Sequence, residues 1–131
     1  MTVLPITLSA AAAAALINFW LGTRIAQIRT REGISVGDGG HELLARRMRA
    51  QLNFAENTPL VLILIAGIEL AGRGGLWLNL VAAAFLVGRV LHALGMDGGK
   101  QAWGRTVGMA ANMLTFLVLA VTALLIVAGV V

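Results

Sequence analysis

The stretch at residues 46–60, RRMRAQLNFAENTPL, decides the fold, because it places three arginines, several amides and a carboxylate at the front of an apolar segment. The residues that follow it, 61–71, are almost wholly apolar. An ionisable side chain that faces lipid costs about 2.5–3.5 kcal/mol on the insertion scale, so this polar cluster must face other helices or water. The sequence therefore predicts a membrane-spanning helix with a polar functional face.

One narrow stripe of this helix carries residues spaced by three or four positions: Arg49, Asn53, Glu56 and Leu60. Its edges hold Arg46 and Asn57, whereas Gln51 points toward a different neighbour. The stripe offers a cation, a neutral amide and a carboxylate, which suits a small zwitterionic ligand. The alternative is that Arg49 and Glu56 only join an interhelical network that holds the helices together.

Composition predicts an integral membrane protein with one domain, residues 1–131. Of the 131 residues, 59% are hydrophobic and 12% are charged, against about 25% charged in a soluble domain. The chain has no cysteine, and His41 and His92 are far apart, so no metal site is predicted. The net charge of +4 comes from basic residues beside the apolar segments, without interleaved aromatics, so nucleic acid is not a predicted partner.

Four apolar segments predict an all-α membrane protein, a four-transmembrane-helix antiparallel bundle with short loops. The predicted spans cover about residues 3–24, 42–71, 76–95 and 103–130. The second span is the longest, about 45 Å at 1.5 Å per residue, so its charged first turns project beyond the hydrocarbon. The first loop is predicted at residues 24–41, where Gly33 and the run GDGG break any continuing helix.

Basic residues lie almost entirely at one end of this bundle. Of the ten Lys and Arg residues, only Arg73 lies toward the other end. The positive-inside rule then places loops one and three in the cytoplasm and both termini outside. Arg89, His92 and Arg105 fall at the level of the polar cluster in the second span, so three helices contribute to one layer. Such an array of cations needs an anion, or Glu56, to neutralise it.

Several motifs resemble one known family. RAQLNFAENTP at residues 49–59 resembles the R-A-x-x-N-x-x-E-x-x-P signature of MAPEG proteins, the membrane-associated proteins in eicosanoid and glutathione metabolism. GRVLH at residues 88–92, followed by Arg105, is similar to the third-to-fourth helix region of that family's microsomal glutathione transferases and prostaglandin E synthases. SVGDGGHELLARRMRAQLNFAEN at residues 35–57 resembles the loop of small bacterial members.

The resemblance implies a homotrimer in a bacterial inner membrane that binds glutathione at subunit interfaces near the cytoplasmic side. The glutathione contacts that it implies are Arg24, Arg49, Gln51, Asn53, Glu56, Asn57, Arg89 and His92. Arg105 matches the arginine that stabilises the glutathione thiolate in the family. The chain has no tyrosine, and His92 and Met96 stand where eicosanoid members have tyrosines, so conversion of prostaglandin or leukotriene precursors is not predicted.

These features favour a glutathione transferase or peroxidase. A thiol with a pKa of about 8.5 is mostly protonated at pH 7, and a nearby cation favours the thiolate, which is the nucleophile. Arg105 would supply that cation, and an apolar electrophile or lipid hydroperoxide would enter from the membrane lipid. The alternative for Arg105 is an arginine that snorkels to the membrane interface. The alternative for His92 is a packed or interfacial histidine.

Two functions of other classes stay open. A small four-helix transporter would need an embedded carboxylate in its first helix, and the span at residues 3–24 has none. A non-catalytic membrane protein that binds a thiol or another anion fits the same residues. A variant of Arg105 that binds glutathione without turnover would separate an enzyme from a binding protein.

Overall fold

Residues 3–131 are described in a computed structural model, and they form four long helices. The helices are α1 Pro5–Glu32, α2 Glu42–Leu70, α3 Leu76–Met96 and α4 Trp103–Val127, with a 3₁₀ turn at Gly99–Gln101 before α4. All four helices are long and apolar enough to cross a membrane. The prediction of an all-α four-helix membrane bundle is confirmed, and the chain is a multi-pass integral membrane protein.

The first helix is longer than the sequence predicts. A loop over residues 24–41 was expected, and that prediction is wrong because α1 stays helical until the loop begins at Gly33, which has a φ of 68°. Between position 24 and Gly33 the chain has no glycine or proline, and buried Ile25 and Ile28 pack with Leu44 of α2. Side-chain packing therefore extends the helix past its apolar run, where hydropathy carries no signal.

The two ends of the bundle differ in chemistry. The cationic end, as we call it, comprises the C-terminal parts of α1 and α3, the N-terminal parts of α2 and α4 and the loops between them. It holds every Lys and Arg except Arg73. At the opposite end, Glu69 of α2 accepts hydrogen bonds from Ile6 N at 2.9 Å, Thr7 N at 2.8 Å and Thr7 Oγ1 at 2.7 Å. Because the first amides of a helix have no partner within it, this carboxylate anchors the start of α1 to α2.

Helices α3 and α4 cross with their backbones in contact. A Cβ atom built on Gly108 would lie 2.5 Å from His92 Cβ and 2.8 Å from His92 N, closer than real Cβ atoms come. Gly88 of α3 faces this part of α4 as well. Small residues at such a crossing let membrane helices approach closely. The crossing therefore fixes where Arg105 of α4 lies relative to Arg89 of α3.

The apolar core fills the half of the bundle away from the cationic end. Its most buried side chains come from α2, α3 and α4: Val61, Ile65, Ile68, Leu78, Phe85 and Leu119. Toward the cationic end, the buried side chains include polar ones: Arg24, Arg89, His92 and Asn112. The candidate site is built where the core changes from apolar to polar.

Candidate functional site

A buried polar layer joins α2, α3 and α4. Arg89 is 2% exposed, and its guanidinium donates to Asn53 Oδ1 of α2 at 2.7 Å and to the backbone oxygen of Gly108 in α4. One turn further from the cationic end, Asn112 Nδ2 donates to Asn57 Oδ1 at 3.2 Å, and Asn57 Nδ2 donates to the Asn53 backbone oxygen at 2.6 Å. The structure therefore brings three predicted site residues together, Arg89, Asn53 and Asn57, and adds Asn112, which was not among the predicted site residues.

This network determines which atom Asn53 offers to a ligand. Arg89 occupies Asn53 Oδ1, so the amide group Nδ2, which can only donate, is left for other partners. Arg89 Nε and Asn112 Oδ1 are also buried, without a hydrogen-bond partner among residues 3–131. A carboxylate or carbonyl oxygen is therefore the ligand group that suits Asn53.

His92 occupies a packed position inside the bundle. It is 6% exposed and lies against α4 at Gly108. This placement favours the packed histidine that the sequence left open as an alternative to a glutathione contact. In the described part of the chain, no group of three or more His, Cys, Asp or Glu side chains is placed to hold a metal ion.

Three predicted site residues lie on the outside of a single chain. Arg49, Glu56 and Arg105 are exposed, and none of them forms an ion pair within residues 3–131. Glu56 therefore does not neutralise the arginines of its own chain. Gln51 lies outside the stripe that holds Arg49 and Glu56, as the helical spacing predicts. Its Nε2 donates to Asn18 Oδ1 of α1 at 3.3 Å.

A cavity of about 530 Å³ opens at the cationic end between α2, α3 and α4. Its lining includes Arg46, Gly95, Met96, Gly98, Arg105 and Thr106. The volume falls within the range of about 300–1,000 Å³ that is typical of small-molecule sites. Two guanidinium groups from different helices suit an anionic ligand. Arg105, the predicted thiolate-stabilising residue, thus lines a cavity of suitable size and charge.

A second groove, of about 790 Å³, lies on another side of α2, against α1. Arg49 and Gln51 line it together with Arg29 and Asp38. Arg49 and Arg105 therefore line different cavities within one chain. The sequence predicts that polar residues of three helices lie together at the cationic end. Arg89 and Asn53 do lie together there, but Arg49 and Arg105 do not meet within one chain.

Asp97, the first residue after α3, draws two arginines together. Its carboxylate accepts from Arg47 Nε at 3.1 Å and Arg47 Nη2 at 2.9 Å, and it forms an ion pair with Arg24 Nη2. Arg24 also donates to the backbone oxygen of Ala93 at 3.3 Å and stacks over the ring of Trp20. We call Asp97, Arg24 and Arg47 the Asp97 clasp. Arg24, a predicted glutathione contact, is 7% exposed and is engaged in this clasp.

The clasp is expected to make the stability of the protein depend on pH in the acidic range. Burial raises the pKa of Asp97, but the hydrogen bond from Arg47 and the charge of Arg24 outweigh burial and hold that pKa below its ordinary value. A carboxylate whose pKa is lower in the folded than in the unfolded protein adds stability above the unfolded pKa, and that stability is lost as the pH falls through the folded pKa.

We expect the melting temperature of the detergent-solubilised protein to drop as the pH falls below about 4, the ordinary pKa of an aspartate. The drop should be shallower in Asp97→Asn, which has no charge to lose at this position. Circular dichroism melts between pH 3 and pH 7 would measure both curves. Parallel curves for the two proteins would contradict the clasp as a source of stability.

Sequence reasoning missed Arg47 and Asp97 altogether, and it placed Arg46 only at the edge of the stripe. The available signal was the ratio of charges, because the chain has six acidic residues and ten basic ones. With so few acids, a carboxylate at the cationic end is expected to be shared between arginines. That ratio does not by itself single out Asp97, because Glu32, Asp38 and Glu42 also lie at the cationic end.

Comparison with known proteins agrees with the quoted motifs. A profile of the MAPEG family matches residues 7–125, which is nearly the whole chain. No curated protein matches the sequence of this chain. MAPEG members use glutathione. The buried Arg89–Asn53 layer and the cavity at Arg105 are built by the segments that carry the quoted motifs, and the chain belongs to the MAPEG family.

Proposed function

We propose that this protein binds glutathione and acts as a glutathione transferase or peroxidase toward apolar electrophiles or lipid hydroperoxides in the membrane. The observation that carries the proposal is the cavity at the cationic end, where Arg46 of α2 and Arg105 of α4 converge. Family membership supplies the identity of the thiol.

The exposed polar groups of α2 match the groups of glutathione, which has two carboxylates, an ammonium group and a thiol. Arginines bind carboxylates through paired hydrogen bonds, and Arg46 and Arg49 are both exposed. The Arg46 contact with Glu42, at 2.5 Å, joins exposed groups four residues apart and is worth only about 0.3–0.5 kcal/mol, so a ligand can replace it. Asn53 would donate to a carbonyl oxygen, and Glu56 would accept from the ammonium group.

Arg105 activates the thiol in this proposal. Its guanidinium lines the cavity and has no carboxylate partner within residues 3–131, so its charge is available to a ligand. A cation beside the sulfur lowers the thiol pKa from about 8.5 and increases the thiolate fraction at pH 7. In the transferase reaction, the thiolate attacks an electrophilic carbon and the leaving group departs with its bonding electrons.

With a hydroperoxide, the thiolate attacks the terminal oxygen and the O–O bond breaks. The released alkoxide takes a proton to become an alcohol, and the glutathione sulfur is left as a sulfenic acid. A second glutathione thiol then forms the disulfide and releases water. Met96 and Met109 line the same cavity, and flexible thioether side chains suit apolar substrates of varied shape.

The exposed charges of α2 support the proposed homotrimer. About 20 residues cross the hydrocarbon, so a count back from Leu70, the end of α2, reaches about residue 50. Glu56 then lies at hydrocarbon depth on the surface of one chain, where lipid disfavours a carboxylate. A ring of three copies would cover it. The subunit-interface site that the family resemblance implies would then join the Arg49 side of one copy to the Arg105 cavity of the next.

The distribution of basic residues supports the proposed orientation in a bacterial inner membrane. Only Arg73 lies at the opposite end from the other nine. Loops one and three would then face the cytoplasm, and both termini would face outside. Glutathione would enter the site from the cytoplasmic side.

Ultraviolet difference spectroscopy near the thiolate band tests the proposal directly. Detergent-purified protein is titrated with glutathione at pH 7, and we expect a saturable thiolate signal. The signal should disappear in Arg105→Ala and in Arg49→Ala, and it should persist in Arg73→Ala, which removes a cation at the opposite end. A wild-type protein with no signal and no calorimetric binding would overturn the proposed function.

A further inference from the structure

We propose that Asp97 is a positioning residue for the thiol site, because its clasp holds the short segment on which both cavity arginines rest. This inference depends on the role proposed for Arg105, which it deepens. It also gives Arg24 and Arg47 a task other than binding the ligand. Four observations support it.

The first observation is that the clasp ties three helices together at one point. Asp97 directly follows α3, Arg24 belongs to α1 and Arg47 belongs to α2. Arg47 Nη1 also donates to the backbone oxygen of Arg24 at 3.1 Å, so α1 and α2 are joined independently of the carboxylate. Loss of the Asp97 charge therefore removes both ion pairs and leaves the end of α3 held to this connected pair of helices by weaker contacts, such as the Arg24–Ala93 hydrogen bond at 3.3 Å.

The second observation is that the α3 end supports the backbone of Arg105. A Cβ atom built on Gly95 would lie 2.7 Å from the carbonyl carbon of Gly104 and 2.9 Å from Arg105 Cα. Gly95 is two positions before Asp97, in the last turn of α3. Because no side chain separates the two backbones, a shift of the α3 end moves Arg105 directly.

The third observation is that the guanidinium of Arg46, the other arginine of the cavity, packs against Gly98, the residue after Asp97. A Cβ atom built on Gly98 would be 2.9 Å from Arg46 Nη1. Asp97 thus stands between Gly95, which contacts Arg105, and Gly98, which contacts Arg46. One carboxylate holds the segment that sets the positions of both guanidinium groups.

The fourth observation is the distribution of charge. Asp97 neutralises two arginines that lie beside the cavity, so they do not compete with Arg46 and Arg105 for an anion. Without the carboxylate, Arg24, Arg47, Arg46 and Arg105 would be like charges that repel one another. The two freed charges alone would favour the thiolate, whereas displacement of Arg105 would disfavour it, so a rise in the pH of half-ionisation reports on the position of Arg105 rather than on the net charge.

A thiolate titration of Asp97→Asn with bound glutathione is the first measurement. We expect the pH of half-ionisation of the bound thiol to rise by about one unit, with the signal at pH 7 falling several-fold. The glutathione dissociation constant should change by less than about threefold, because Arg46 and Arg49 remain. Asp97→Glu keeps the charge and should restore most of the signal. It also keeps the test informative if Asp97→Asn does not fold.

Glu69→Gln is the matched control, because it weakens an α1–α2 carboxylate contact at the opposite end of the bundle. It should lower the melting temperature and leave the titration unchanged. If Asp97→Asn lowers the melting temperature without moving the titration, Asp97 is a structural residue only and the inference is overturned.

A second readout needs no glutathione, because the chain has no cysteine to interfere with labelling. A nitroxide attached to Arg105→Cys should become more mobile when Asp97→Asn is added, whereas one on Arg73→Cys should not change. Unchanged mobility at position 105 would overturn the positioning role even if the wild type activates the thiol. Increased label mobility at position 105, together with no thiolate signal in the wild-type titration, would support the positioning role of the clasp and contradict the proposed function.

Discussion

Replacing Arg105 with alanine is expected to lower the turnover of glutathione conjugation by about 100-fold or more at pH 7, while glutathione still binds. Removing one preorganised group that stabilises charge at the reacting atoms costs about 10²–10³ in kcat. Arg105 has no carboxylate partner within residues 3–131, so the substitution leaves no other charge unpaired. Steady-state kinetics with a chromogenic aromatic halide, from pH 6 to pH 10, measure the effect. Activity should recover at high pH, where the thiol ionises unaided.

Two matched variants separate thiol activation from ligand holding. Arg105→Lys keeps a cation at the site and should retain part of the turnover, although it loses the planar fork. Arg46→Ala removes the other arginine of the same cavity and should raise the KM for glutathione more than it lowers kcat. Full turnover in Arg105→Ala at pH 7 would contradict thiol activation. A loss of glutathione binding in that variant would identify Arg105 as a ligand-holding residue instead.

The second large effect is expected at the crossing of α3 and α4. Gly108→Ala would place a methyl group 2.5 Å from His92 Cβ and 2.8 Å from His92 N, and the backbone of α3 cannot rotate away from it. Overpacking costs about 1–3 kcal/mol where side chains can move. We expect the upper end of this range or more here, together with a shift of the Gly108 carbonyl that binds Arg89. Unfolding in mixed micelles, followed by circular dichroism, measures the loss.

Gly67→Ala is the control for this substitution. Gly67 also lies inside a helix, but a Cβ there meets no atom within 4 Å. Alanine has a higher helix propensity than glycine by about 1 kcal/mol, so this variant should be neutral or slightly more stable than wild type. Equal stability of the two variants would mean that α3 and α4 do not cross through Gly108.

The helices could be predicted because each has an apolar run of sufficient length, and three of the four agree closely with the predicted spans. The end of α1 could not be predicted from hydropathy. Its last turns leave the apolar run, and they are held by contacts of Ile25 and Ile28 with a helix that is distant in sequence. Hydropathy identifies membrane spans, whereas helix ends beyond the membrane depend on tertiary contacts.

The candidate site was predictable in its level but not in its partners. Sequence spacing placed Arg89 and Asn53 in one layer, and they hydrogen-bond at 2.7 Å. It did not reveal that Arg24 is paired with Asp97, because the choice of partner depends on how each helix is rotated about its axis. The separation of Arg49 of α2 and Arg105 of α4 into two different cavities depends on the same rotations.

The Asp97 clasp also constrains the order in which the protein is assembled during synthesis. Arg24 and Asp97 are 73 positions apart, so at about 5–20 residues per second the ribosome needs roughly 4–15 seconds to deliver the carboxylate after the arginine. During that interval, the Arg24 guanidinium is without its carboxylate partner, and a charged side chain in that state disfavours the hydrocarbon. The hydrogen bond from Arg47 to the Arg24 backbone spans only 23 positions, so α1 and α2 can be joined before the carboxylate of Asp97 has been synthesised.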